Sequence, residues 1–345
     1  MTVRVLQGDC RDVLKTLPDE SVHCVVTSPP YFGLRDYGVD GQIGLEKMPA
    51  DYVSELVSVF SEARRVLRAD GTVWLNLGDS YCTRSVRRDD GMRTVIKAYE
   101  TSDEEVGFEN WSDYAERGRA KYSSHFAHLG LKDKDLFGIP WMVAFALRAA
   151  GWYLRQDIIW SKPNPMPESV RDRCTKAHEY LFLLAKSERY YFDADAISEP
   201  ATGWNGSTFD GERDLTVRPT TGRGPRNRRQ GEPSRHGLTG AASHGISDVG
   251  EGRETRNKRS VWEVTTQPFK EAHFATFPPA LIEPCILAGC PEGGTVLDPF
   301  GGAGTTGLVS DRHKRSAILI ELNPEYAEMA RKRIYNDAPL FADVA

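Results

Sequence analysis

Four consecutive residues, Ser28-Pro29-Pro30-Tyr31, place a hydroxyl, a carbonyl and an aromatic ring in fixed order after the apolar, β-branched run VHCVVT. Two prolines lock two φ angles at about −65° and remove two backbone donors, so a strand must stop there. The residue before the first proline is also driven out of the helical region. The result is a stiff corner that holds acceptors and a ring toward a ligand; the competing reading is an inert turn.

A second constellation lies near the other end of the chain. The stretch TVLDPFGGAGTTG carries Gly302-x-Gly304-x-x-Gly307 between a predicted strand and a predicted helix, and Glu321 closes the following strand, AILIE. Glycines let the backbone approach a ligand closely, and an acid at the next strand tip accepts hydrogen bonds from a ribose diol. This context predicts a nucleoside-containing cofactor. Asp298, Pro299 and Phe300 precede the glycines, and an acid at that strand end suits a cationic amino group better than a pyrophosphate. That points to S-adenosylmethionine rather than a nicotinamide dinucleotide.

With both constellations in view, the chain resembles the amino-methylating DNA methyltransferases, which modify the exocyclic nitrogen of cytosine or adenine. Thr27–Tyr31 (TSPPY) is similar to their catalytic motif and DPFGGAGTTG to their cofactor motif. Phe274–Ile286 (FATFPPALIEPCI) is similar to the segment that closes over the methionine part of the cofactor, and DIIWSKPNPMP to a strand and loop near the target base. The catalytic motif comes first and the cofactor motif last, as in the family's β arrangement, with target recognition between them.

The resemblance gives the prolyl corner a chemistry. An exocyclic amine is a poor nucleophile because its lone pair is delocalised into the ring. Ser28 Oγ and the Pro29 carbonyl, both accepting from the NH₂, draw the nitrogen toward tetrahedral geometry, and Pro30 keeps the corner rigid. Attack on the sulfonium methyl then needs no covalent enzyme intermediate. The base must first leave the duplex, at a cost of a few kcal/mol, which Tyr31 offsets by stacking, worth about 1–3 kcal/mol. The resemblance assigns Asp9, Phe277, Pro278, Asp298, Pro299, Phe300, Gly302, Gly304, Thr305, Thr306 and Glu321 to the cofactor. For Asp9 a surface turn stays open, and for Phe277 and Pro278 core packing does. Lys162 and Asn164 face the base or phosphate, or belong to a plain loop.

The elements that must position these residues alternate. VRVLQGD, VHCVVTS, TVWLNLGDSY, the run ending DIIWS, EYLFLLAKS and the opening parts of TVLDPFGGAGTTGLVSDRH and SAILIELNPEYAEMARKRI read as strands. RDVLKTLP, MPADYVSELVSVFSEARRVLRADG, IPWMVAFALRAAG, FPPALIEPCILAG and the segments after the two C-terminal strands read as helices, the long second one closing at Asp70-Gly71. The expected fold is α/β: a doubly wound, mostly parallel Rossmann-like methyltransferase sheet with an inserted target-recognition region. Residues 1–83 and 136–200 form the catalytic half, 84–135 an insertion, 201–265 the target-recognition segment and 266–345 the cofactor half. Gly203–Arg259 holds eleven glycines and eleven Lys/Arg against seven Asp/Glu. It cannot bury much apolar surface, and Arg223, Arg226, Arg228 and Arg229 make it a DNA-contacting loop or a solvated linker.

Bulk properties exclude other classes. A net charge of −5 rules out a chain basic throughout, and no apolar run is long enough to span a bilayer. The start of the chain shows no secretory signal pattern. The six cysteines show no CxxC spacing and the histidines no paired-ligand pattern, so neither a disulfide framework nor a metal site is expected. A reduced, cytoplasmic setting follows, bacterial or phage-borne, with double-stranded DNA as partner. Homodimerisation, common in the resembled group, has no signature here, and neither a recognition sequence nor a partner restriction enzyme can be read. Serine at position 28, where many adenine-modifying relatives carry aspartate, favours N4 of cytosine over N6 of adenine. A nicotinamide-dependent oxidoreductase, a non-catalytic DNA-binding protein, and RNA or protein as methyl acceptor are the competing functions.

Overall fold

In the computed structural model, side chains repeat with a period of two along nearly every central strand, and the two sets face opposite ways. Val25, Val73, Leu75, Phe182, Leu184, Leu297 and Ile320 join one buried cluster; Cys24, Val26, Trp74, Leu181, Leu183, Val296 and Leu319 join another. A sheet buried on both faces needs helices on both. The structure describes residues 1–82, 131–132, 134–201, 255–267 and 277–337 and the backbone of 343–344. Of the expected insertion, residues 84–130 and 133 lie outside the described residues, as do Arg223, Arg226, Arg228 and Arg229.

The chain divides into two units, Met1–Ile197 with Lys258–Ala345, and Ser198–Asn257. The first unit holds strands β1 (Thr2–Gln7), β2 (Val22–Thr27), β3 (Leu67–Leu77), β4 (Tyr153–Ser161) and β5 (His178–Ala185). In the second, β6 (Glu199–Pro200) pairs antiparallel with β7 (Thr255–Arg256). The first unit resumes with β8 (Val261–Glu263), β9 (Thr295–Asp298), β10 (Ser316–Glu321) and β11 (Asp343–Val344). Its sheet runs β11-β1-β10-β9-β2-β3-β5-β4-β8, with β5 alone reversed among the described strands. The expected recognition segment runs to residue 265, but β8 lies in the first unit and pairs parallel with β4.

Helices α1 (Cys10–Thr16), α2 (Pro49–Val66) and α3 (Ile139–Ala149) pack on one face. Helices α4 (Pro279–Gly289), α5 (Thr305–Arg312) and α6 (Pro324–Asp337) pack on the other. Helix α2 has Pro49 at its N-terminus, where its missing donor costs nothing, and presents Tyr52, Leu56, Val59, Phe60 and Ala63 to the core. It ends at Val66, earlier than the expected Asp70-Gly71, because Leu67 already pairs with Val22 in the sheet. Arg68–Gly71 bulge out before pairing resumes at Cys24 and Thr72.

Two connections fix where a ligand can sit. From β2 the chain crosses through α2 to β3 on one side, and from β9 through α5 to β10 on the other. β2 and β9 are parallel neighbours, so their C-terminal loops part at a topological switch point, where α/β sheets open a crevice. Thr27 and Asp298 end those strands.

Candidate active site

The two loops line one cavity of about 930 Å³. One wall carries Ser28, Pro29, Pro30 and Tyr31; another carries Pro299, Phe300, Gly302, Thr305 and Glu321. Asp9, Phe277, Lys162 and Asn164 also face it. The structure thus brings the early prolyl corner and the late glycine turn together.

The cofactor side is built from backbone and strand ends. Glu321 takes the Gly302 N–H at 2.7 Å on one oxygen and the Asn323 N–H at 2.8 Å on the other. Each oxygen keeps a further lone pair, and burial raises its carboxyl above the usual range. Gly304 has φ +78°, and a Cβ there would lie 2.9 Å from the Ala330 Cβ; only glycine lets α6 pack so close behind the loop. Asp9 caps α1 through the Arg11 N–H at 2.8 Å and is gripped by the Arg11 guanidinium, which holds its carboxyl below the usual range.

Asp298 differs from its expected place. It is fully buried and off the cavity wall. Its oxygens accept from Thr27 Oγ1 and Thr306 Oγ1, each at 2.6 Å, and from the Phe300 N–H at 3.0 Å. An acid so placed braces two strands and a loop, and it does not line the cavity. Thr306 is spent on the same brace. Gly304 faces α6, and Pro278 caps α4 behind the wall that Phe277 lines.

The opposite wall holds a polar network that sequence reasoning did not single out. Asn76 Oδ1 lies 3.2 Å from Ser28 Oγ and 3.1 Å from Tyr31 Oη. Asn76 Nδ2 donates to the Tyr180 carbonyl at 3.1 Å and to Glu179 Oε2 at 3.2 Å. Tyr31 Oη donates to Glu179 Oε2 at 2.6 Å, and Lys162 pairs with Glu179 Oε1. Burial, then the Glu179 charge, pushes the Tyr31 phenol well above its ordinary value, so it keeps its proton. The Lys162 ammonium sits 4.2 Å over the Trp160 ring. Asn164 clasps Thr266 through two bonds, Nδ2 to the carbonyl at 3.2 Å and Oδ1 from the N–H at 3.0 Å, which fixes the proline-rich loop after β4. Asp79, two residues past the end of β3, caps α3 by accepting the Gly138 and Ile139 N–H groups at 3.1 Å. The available signal for Asn76 and Glu179 was a polar residue inside an apolar strand run, WLNLG and HEYLFLL, because a buried polar group requires partners.

A doubly wound sheet whose switch-point cavity carries a glycine turn and a strand-tip acid on one wall, and a prolyl corner on the other, is the architecture of the Rossmann-like nucleotide-cofactor class. A family model described as DNA methylase matches residues 22–332, and the chain belongs to that family. It is 43% identical over 333 residues to the Type II methyltransferase M.Cfr9I of Citrobacter freundii, covering 96% of this chain and 88% of that protein. Among solved structures it shares its fold with TTHA0409 of Thermus thermophilus, solved in complex with S-adenosyl-L-methionine. The TM-score is 0.54 at 22% identity, covering 99% of each chain. The PvuII DNA methyltransferase (cytosine-N4-specific) aligns with a TM-score of 0.57 at 17% identity, over 98% of this chain and 92% of that one. No helix among the described residues is long and apolar enough to cross a membrane.

Proposed function

We propose that this DNA methylase transfers a methyl group from S-adenosylmethionine to N4 of a cytosine extruded from a specific duplex sequence. One observation carries the reading: Ser28-Pro29-Pro30-Tyr31 and the glycine turn line the same cavity. Its volume of about 930 Å³ falls at the upper end of the range for small-molecule sites, as a cofactor and a base side by side require. The cofactor fits the residues present. Glu321 offers free lone pairs at the tip of β10, and Phe277, Phe300 and Tyr326 supply apolar wall. Bound there, it supplies an electrophilic methyl group.

The protein's own residues do the rest. Ser28 Oγ and the Pro29 carbonyl accept from the target amine and free its lone pair. The prolines hold those oxygens in register, so that binding itself supplies orientation. Tyr31 presents its ring, and Lys162 and Asn164 sit beside the base. Under this reading Arg223, Arg226, Arg228 and Arg229 meet the phosphate backbone, and the enzyme works in the cytoplasm, where its DNA lies. Serine at position 28 is what favours cytosine over adenine. The test is to incubate the purified chain with unmodified genomic DNA and S-adenosylmethionine and to analyse the nucleosides by mass spectrometry. N4-methylcytosine supports the reading; N6-methyladenine replaces the target base, and no methylated base overturns it.

A further inference from the structure

A serine hydroxyl accepts a hydrogen bond from an amine only when its own proton points elsewhere. Ser28 has two neighbours on the wall side, Asn76 Oδ1 at 3.2 Å and Tyr31 Oη at 3.5 Å. The Asn76 amide cannot be turned over: its other terminus faces the Tyr180 carbonyl and Glu179 Oε2, both acceptors, so that terminus is the NH₂. The Tyr31 hydroxyl has one proton, and the shorter, charge-assisted bond at 2.6 Å commits it to Glu179. Both neighbours therefore offer Ser28 lone pairs. Its hydrogen points into the wall, and its own lone pairs face the cavity.

The Asn76 amide and the Tyr31 phenol both lead to one carboxylate, the amide being shared with the Tyr180 carbonyl. Glu179 Oε2 receives both the Asn76 amide and the Tyr31 phenol, while Oε1 is held by Lys162. We propose that Glu179 is a positioning residue for methyl transfer. Through Asn76 and Tyr31 it orients the Ser28 hydroxyl so that Oγ accepts from the target amine. This deepens the reading above and rests on it. Without Glu179, the Asn76 amide keeps one partner and the Tyr31 proton falls back on Asn76 Oδ1, competing with Ser28 for that oxygen. Ser28 Oγ then loses its fixed polarity.

A double-mutant cycle in the full chain tests this, with single-turnover methyl transfer to unmodified duplex DNA as the readout. E179A is expected to lower the rate on the order of 10- to 100-fold, with KM for S-adenosylmethionine within about twofold of wild type. In the S28A background the same substitution is expected to cost less than about threefold, because the group it orients is gone. E179Q, which keeps an oxygen for Tyr31 and Asn76, is expected to stay within about fivefold of wild type. An E179A loss that multiplies fully with S28A overturns the proposal, as does E179Q as slow as E179A. If E179A does not fold, the cycle of N76A with S28A gives the same discrimination. The wild-type product separates the two readings: N4-methylcytosine with a multiplicative cycle sinks this inference alone, whereas no methylated base sinks both.

Discussion

Thr27 donates its hydroxyl to Asp298 at 2.6 Å across the seam between β2 and β9, the two strands whose ends carry the prolyl corner and the glycine loop. The bond joins residues 271 positions apart. It sets the spacing of the two walls of the cavity, and Thr306 and the Phe300 N–H complete the brace.

The brace makes stability depend on pH in a definable way. Burial raises the Asp298 carboxyl from 3.8 to about 6. A raised acid favours its protonated form in the folded state, so the folded chain binds more protons than the unfolded one between about pH 4 and 6. Stability from this group is therefore full below pH 4 and is lost as pH rises through 6, by on the order of 3 kcal/mol. D298N is neutral throughout. The difference in unfolding free energy between wild type and D298N should move in the variant's favour as pH rises from 4 to 7. Paired denaturation curves check it; a constant difference would show that Asp298 titrates normally.

Ser28→Ala removes an acceptor from the target amine without touching the fold, since Ser28 is half-buried and Asn76 keeps its other partners. Methyl transfer should fall on the order of 100-fold, as when one preorganised hydrogen-bonding group is lost. Binding of S-adenosylmethionine should stay within about twofold of wild type. Parallel rate and equilibrium-binding measurements separate the two.

Gly78→Ala tests the position of the ring. A Cβ at Gly78 would lie 2.5 Å from Tyr31 Cε2, too close for the ring to stay where it is. Because a displacement of about 1 Å at a reacting centre can cost 100-fold, transfer should slow by at least tenfold. The melting temperature should fall by only a few degrees, and the Tyr31 hydroxyl should leave Glu179 in a crystal structure of the variant.

The sequence carried the fold because its signals are local. The dense apolar runs in VHCVVT and SAILIE, the spacing in ADYVSELVSVF and the glycines before Thr305 each announce their element within a few residues. The two motifs were legible for the same reason. What was hidden is long-range register. Asn76 meets Glu179 because β3 and β5 run antiparallel with Leu77 opposite Tyr180, and no local pattern states that pairing. Asp298 was misplaced on the same ground: a strand-end acid looks alike whether it faces a ligand or two threonines, and Thr27 arrives from the far end of the chain. The end of α2 was missed because Leu67 satisfies the helical spacing and the strand equally well.

Glu321 should govern cofactor affinity. Its two oxygens already hold the glycine loop and the Asn323 turn, which aims their remaining lone pairs into the cavity. Glu321→Gln turns one acceptor into a donor and removes the charge. Hydrogen bonds to charged groups are worth about 1.5–3 kcal/mol, so the dissociation constant for S-adenosylmethionine should rise roughly 10- to 100-fold. Isothermal titration of wild type and variant measures it, and an unchanged constant would remove Glu321 from the cofactor site.

Salt dependence tests the basic segment. A protein that neutralises phosphates releases counterions, and the slope of log K against log salt steepens by about 0.9 per phosphate contact. If Arg226, Arg228 and Arg229 each meet a phosphate, replacing all three with alanine should shallow the slope by about 2.7. Methyl transfer at saturating DNA should change little, because the cavity residues are untouched. Fluorescence anisotropy of a labelled duplex across a salt series gives the slope directly. An unchanged slope with the triple variant would take this segment off the DNA and leave the cavity rim, with Lys162 and Lys176, as the electrostatic contact.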